Sequence, residues 1–388
     1  MRTPSATRNW SCTNHLSTHV QERLDQGSVP DSLALAVLGC YTPLGSLRGS
    51  TRLLAPGFRA VLPPSLLRRQ VKQPMTEADL RADLTVLTPI LDGVSRKVQE
   101  QYEEHPYPRW IGLPRHTHKV PLEEFIHKHV AGVSSLSLPD GQQGRFSVLN
   151  AGCGTGQHPI DLMLRVANLD MLAIDLSRTS LGYAQRMASE MGINHLQFAQ
   201  ADILELGTLG RRFDLIDSAG VLHHLQSPAR GVAVLRGLLA PRGIFRIALY
   251  SERARHSVVA CREHIARFGY PPTDEGIRRL RQHVLALPAG HPARGVARFS
   301  DFYALQECRD LVFHVQEHRF TLAGIEALLA GQQLSLLGLQ LQASQQAGFL
   351  AQHRDPSLLR SLRHWDAYEQ ANPDTFADMF VLWAQSDS

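Results

Sequence analysis

The chain has 388 residues, 43% apolar and 20% charged, and a net charge of +4 at neutral pH. Those proportions are ordinary for a folded globular chain. They exclude a membrane-spanning helix, because apolar runs such as Leu33–Cys40 fall well short of the roughly 18–20 residues a span needs. They also argue against a nucleic-acid binder, which gathers its basic residues on one face or in runs. Arg68 and Arg69, and the scattered arginines between 278 and 298, are the nearest approach to such a run. Neither nucleic acid nor a membrane is expected as a partner.

Residues 1–95 show Leu-rich segments, 31–40, 62–71 and 77–91, broken by Pro and Gly, which predicts a region of short helices. The first twenty residues hold Arg2 and Arg8 and no acid, without a secretory apolar core, so an irregular N-terminus is expected. Cysteines at 12, 40, 153, 261 and 308 are far apart and form no C-x-x-C pair. That spacing fits a reducing compartment, and the cytoplasm is the expected location.

Residues 96–145 read as a strap and linker into a core at 146–251. There, short apolar runs alternate with helical stretches: strands at 146–152, 170–176, 196–202, 213–218 and 243–250. Pro159 suits the first turn of a helix beginning near Gln157. Ser177 caps a helix that carries Leu181, Ala184 and Ala188 on one face. A helix at 228–239 is ended by Pro241-Arg242-Gly243. This alternation predicts a parallel sheet with helices on both faces. Residues 252–320 are polar and helical, read as a lid insertion over the strand ends. Thr321 then caps a helix, and strands at 334–341 and 378–385 finish the chain within a final region, 321–388. The fold expected is α/β, doubly wound and Rossmann-like, with seven mostly parallel strands, a helical N-terminal region and a helical insertion before the last two strands.

The most informative segment is VLNAGCGTGQH, 148–158, which joins a strand to a helix. Glycines there let the backbone turn tightly and a ligand approach closely, and the helix start offers free N–H groups. Asp175 ends the second strand, where an acid accepts both ribose hydroxyls. Asp202 ends the third, where an acid takes the exocyclic amine of adenine beside a backbone N–H. A dinucleotide would need G-x-G-x-x-G, and here the third glycine comes one residue early. The pattern fits a ligand built of one adenosine and an amino acid.

The blocks NAGCGTGQ (150–157), AIDLS (173–177) and FDLIDSAGVLHHL (213–225) resemble class I S-adenosylmethionine (SAM)-dependent methyltransferases. QYEEHPYPRW (101–110), DFY (301–303), CRDLVFHVQEHRF (308–320) and NPDTF (372–376) are similar to a bacterial group of that class often fused to tetratricopeptide repeats. The resemblance covers residues 30 to 385. It implies SAM as cofactor, bound by Asn150, Gly152, Gly154, Gly156, Asp175, Leu176, Asp202, Ile203 and Ser218. Asn150 stands where the broader class often has an acid, His105 where the group has Asn, and the repeats are absent.

Methyl transfer from a sulfonium is an in-line displacement, so such a protein contributes chiefly by alignment, and a base helps only some acceptors. The candidate bases are His223 and His224 after the fourth strand, with Tyr107 nearby. The motif [N/D]-P-P-[Y/F] is not present at 217–220, which disfavours exocyclic base amines and glutamine as acceptors. Tyr102, Tyr107, Arg109 and Trp110 lie in a strap that Pro106 and Pro108 hold extended, and Tyr102, Arg109 and Trp110 are candidate acceptor contacts. His314 and His318, at i and i+4, are candidate lid contacts, with no metal expected. Three functions are compatible with these residues: a methyltransferase acting on O or N of a small molecule or protein side chain, a SAM-binding partner protein without catalysis, or an RNA methyltransferase. The acceptor and the oligomeric state stay open.

Overall fold

A computed structural model describes residues 4–59, 62–133 and 136–386, with side chains described from residue 14 on except at 58 and 59. The chain divides into two compact units at Asp83 and Leu84, rather than near residue 95. In the first unit, Pro4–Asp25 is a helix and not the irregular segment expected. Leu16, Val20 and Leu24 recur every four residues, so they share one helix face. That face packs into a small core with Leu35, Leu38, Leu53 and Val71.

The second unit is organised by eight strands: β1 (Thr85–Val86), β2 (Phe146–Ala151), β3 (Leu169–Asp175), β4 (Leu196–Gln200), β5 (Phe213–Ala219), β6 (Leu239–Leu249), β7 (Leu334–Leu339) and β8 (Phe380–Ser386). Their order in one sheet is β1-β4-β3-β2-β5-β6-β8-β7. β1 to β6 run parallel, and β8 lies antiparallel between β6 and β7. The interior strands β2, β3 and β5 are buried almost throughout, as a sheet covered on both faces requires. Several buried clusters cover those faces. One gathers Leu149, Ile216, Phe245, Leu322 and Trp365; another gathers Val148, Leu162, Met171, Leu215 and Trp383.

The sheet therefore has eight strands, not seven. The additional strand is only two residues long, and it forms where the helix Gln73–Ala82 stops short of the helical stretch expected to Leu91. β6 starts at Leu239, so Pro241 to Gly243 lie within an irregular strand start instead of ending a helix. Between β7 and β8 the chain also makes helices at Ala343–His353 and Leu362–Ala371, beyond those expected from the sequence. Between β6 and β7, residues 256–313 are helical, and they enclose their own cluster of Val258, Ile277, Leu280, Phe302 and Leu311. Among the described residues no helix is long and apolar enough to cross a membrane.

Candidate functional site

A cavity of about 550 Å³ opens at the carboxyl ends of β2 to β6, the usual ligand position in an open parallel sheet. The loop after β2 forms one wall. Gly152 adopts φ +86°, and a Cβ there would sit 2.3 Å from Val221 Cγ2. Gly154, at φ +51°, would put one 2.7 Å from the Tyr107 carbonyl oxygen. Both positions therefore need glycine, for handedness and for space. Gly156 does not face the cavity. It lies against Ala184 and starts the helix Gln157–Arg165.

Asp175 and Asp202 both line the cavity, as do Asn150, Leu176 and Ile203. Asp175 Oδ2 accepts the Gly154 N–H at 2.8 Å and Oδ1 accepts that of Ser177 at 2.9 Å. Burial pushes its carboxyl up to about 6, against the lowering effect of those N–H groups. Asp202 Oδ1 accepts from the Leu204 N–H at 3.0 Å, whereas Oδ2 is buried near the Ser95 hydroxyl with no hydrogen bond of ordinary length. The Asp202 N–H donates to Thr88 Oγ1 at 2.8 Å, which ties the stretch after β1 to this strand tip. Asn150 Oδ1 is a second buried acceptor without a partner. Ser218 faces away, fully buried, with its hydroxyl donating to the Ala151 carbonyl at 3.0 Å. Its successors Ala219, Gly220 and Val221 line the cavity instead.

The strap crosses the glycine loop. Tyr102 and Glu103 end the helix Gly93–Glu104, so the extended part begins only beyond Glu104. Glu103 accepts the backbone N–H groups of Arg178 and Thr179, at 2.6 and 3.2 Å, where the helix after β3 begins. The Thr155 hydroxyl donates to the Pro108 carbonyl, and Trp110 Nε1–H donates to the Thr155 carbonyl at 3.1 Å. Tyr102 and Tyr107 line the cavity. Trp110 and Arg109 do not: past Pro108 the chain turns off, burying the indole in the core beside Ile160 and Leu181 and leaving Arg109 exposed.

The histidines also differ from expectation. His223 is fully buried behind His224, and its ring packs on Tyr250 at 4.0 Å. His224 reaches the cavity, but both of its ring nitrogens are taken. Nδ1 meets the Gln316 carbonyl at 2.7 Å, and Nε2 meets His223 Nε2 at 3.1 Å. Burial holds the His224 ring down at about 4, so it is neutral at pH 7 with no nitrogen free to abstract a proton. The helix Leu305–Phe313 ends before His314, so His314 and His318 share no helical face. His314 stacks behind His224 with ring centroids 3.5 Å apart, and His318 meets Gln316 Nε2 at 3.0 Å, outside the cavity lining.

Sequence reasoning missed a buried ionic chain beneath the cavity. Asp217 Oδ1 accepts from Arg246 Nη1 at 2.9 Å, and Oδ2 accepts from His158 Nε2 at 2.5 Å. Burial alone would raise the Asp217 carboxyl, but Arg246 and His158 outweigh it and hold it well below the usual range. His158 lines the cavity and carries the chain to its wall. The available signal was an acid and an arginine each inside a strand read as buried, since buried charges require partners. Asp310 and Tyr250, also missed, line the cavity as well.

Residues 143–268 match the family model described as a methyltransferase domain. An uncharacterized protein of Synechococcus sp. is 30% identical over 256 residues, covering 64% of this chain and 60% of its own length. An uncharacterized methyltransferase of Mycobacterium tuberculosis is 28% identical over 178 residues, 42% of this chain and 86% of that protein. Among solved structures, PKMT2 from Rickettsia typhi shares the fold with a TM-score of 0.50 and 17% identity, over 68% of this chain and 53% of that one. The chain thus spans 60% of the Synechococcus protein and about half of the Rickettsia protein. The stretch that matches the methyltransferase model, residues 143–268, holds the glycine loop and strands β2 to β6 of a Rossmann-like sheet.

Proposed function

We propose that the chain is a cytoplasmic SAM-dependent methyltransferase that acts on oxygen or nitrogen of a small molecule or a protein side chain. The observation that carries this reading is one cavity in which a left-handed glycine turn meets two strand-tip carboxylates, one of them with an oxygen that makes no hydrogen bond of ordinary length. These residues fit the cofactor. Asp202 Oδ2 would accept from the adenine amine, Asp175 from the ribose hydroxyls, and the bare backbone at Gly152 would admit the methionine portion. Bound SAM supplies a methyl group already made electrophilic by its sulfonium. The chain's own task is then to hold the acceptor in line and keep water out. Tyr102 and Tyr107 from the strap, with Asp310 from the segment between β6 and β7, form the wall that would do so.

RNA as acceptor finds little support, because among the described residues no Lys or Arg lines the cavity to meet a phosphate. Incubation with methyl-labelled SAM and fractionated cell extract separates the remaining readings. Label moving to an acceptor is the expected result. SAM bound with no label moved from it would favour a partner protein without catalysis.

The Asp175 value gives a pH test. The shift is upward, so the free protein holds a neutral acid below about 6 and a carboxylate above it. Only the carboxylate can accept from both hydroxyls. SAM affinity is expected to be flat above pH 7 and to fall by up to about tenfold per unit below the titration. Calorimetric titrations from pH 8 to pH 5 check this, with Asp175→Asn weaker throughout and lacking that slope. An affinity in the parent chain that does not change with pH would remove Asp175 from the ribose site.

A further inference from the structure

The cavity has a charge pattern that the cofactor does not use up. Among the described residues its lining holds the carboxylates of Asp161, Asp175, Asp202 and Asp310 and no Lys or Arg. The adenosine assignment accounts for Asp175 and Asp202. Asp161 is already partnered, by Arg165 at 3.2 Å and His116 at 3.5 Å. Asp310 is different. It is only 6% exposed, its Oδ1 accepts from the Tyr102 hydroxyl at 2.6 Å, and its Oδ2 accepts no hydrogen bond from the described residues. The nearby Arg255 acts on Asp310 through its charge but makes no hydrogen bond to it, its buried ion pair at 2.5 Å being with Glu317. The phenol rings of Tyr102 and Tyr107 line the same cavity, and Tyr107 is anchored to Asp301 Oδ2 at 3.2 Å, whereas the Tyr250 ring already carries the Arg255 guanidinium at 3.8 Å.

A buried carboxylate without a cation is costly, so it either takes a proton or awaits a positive partner. Aromatic walls beside it favour a cation further. We infer that the methyl acceptor is an amine, whose ammonium seats on Asp310 beside Tyr102 and Tyr107. This rests on the methyltransferase reading and narrows its acceptor atom from oxygen or nitrogen to nitrogen. An anionic acceptor would meet these carboxylates, with no Lys or Arg among the described lining residues. Burial pushes the Asp310 carboxyl up to about 6, against the Tyr102 hydrogen bond, and the same desolvation lowers a seated ammonium. One ammonium proton passes to Asp310 Oδ2. The freed nitrogen lone pair forms the new N–C bond as the methyl–sulfur bond breaks, with that electron pair staying on sulfur. A thioether and a methylated ammonium result, and the proton on Asp310 leaves to solvent. His224 cannot serve in its place, since both of its ring nitrogens are occupied.

Thermal unfolding of the full chain, first with S-adenosylhomocysteine and then with equal concentrations of n-butylamine, n-butanol or butyrate added, tests the inference. The amine alone is expected to raise the midpoint further, by about 2 °C or more once its site is filled. Asp310→Asn should lose that second rise and keep the first. No added rise with the amine, an equal rise with the alcohol or the acid, or an amine effect that survives in Asp310→Asn overturns the amine site. Absence of the first rise in the parent chain would instead overturn the methyltransferase reading beneath it.

Discussion

Asp217→Ala is expected to lower folding stability by about 3–5 kcal/mol, the usual cost of removing one member of a buried ion pair. The carboxylate lies inside β5 with no solvent exposure, and its register partner on β6 is Arg246. Without it the buried guanidinium keeps contacts to His158 Nε2 at 3.0 Å, to Gln340 Oε1 at 3.5 Å and to the face of Trp383, but no acid. The pH dependence is set by the direction of the shift. Because the folded carboxyl titrates below its unfolded value, its stabilisation is complete above the ordinary carboxyl range and is lost only as pH falls through it. Urea unfolding of Asp217→Ala, Arg246→Met and the double variant is the check. The double variant should be less damaged than the sum, because it leaves neither charge unpaired. A cost under about 1 kcal/mol for Asp217→Ala would show that the chain from His158 to Arg246 contributes little.

Asp175→Ala is expected to weaken SAM binding by about 100-fold, the loss of charge-assisted hydrogen bonds to two hydroxyls. The same change removes the acceptor for the Gly154 and Ser177 N–H groups, so part of the loss comes from a looser glycine turn. The fold should survive, because Ser177 still caps its helix through its own hydroxyl and Glu103 still meets the N–H groups beyond. Calorimetry, with an unfolding midpoint as control, reads both effects. Unaltered affinity in a folded Asp175→Ala protein would remove this residue from the cofactor site.

The parts of the molecule legible in the sequence are those set by local physics. Strands β2 to β6 announce themselves because a sheet covered on both faces needs near-continuous apolar runs, and turns and caps separate them. Asp175 and Asp202 stand out because each immediately follows or ends such a run. β1 escapes notice because two residues carry no periodicity and depend wholly on pairing with Ala199 and Gln200. The N-terminal helix escapes notice because its polar composition masks the four-residue spacing of Leu16, Val20 and Leu24. The surroundings of the acceptor end are set by contacts between distant parts of the chain. Tyr102 meets Asp310 across 208 residues, and the His224 ring is turned by a carbonyl 92 residues away. A histidine at a strand tip reads as a free base until its neighbours are known, and here they occupy both nitrogens. His158 and Asp217 stand within or beside the most informative sequence blocks, yet only the register of β5 against β6 supplies the arginine that makes them a chain.

The most direct measurement is a crystal structure of the chain with S-adenosylhomocysteine. The adenine amine should lie about 3 Å from Asp202 Oδ2, with the ribose hydroxyls on Asp175 and the amino-acid end over Gly152. An adenosine bound elsewhere, or seated in this cavity with Asp202 turned away from it, would contradict the assignment on which the proposed chemistry depends.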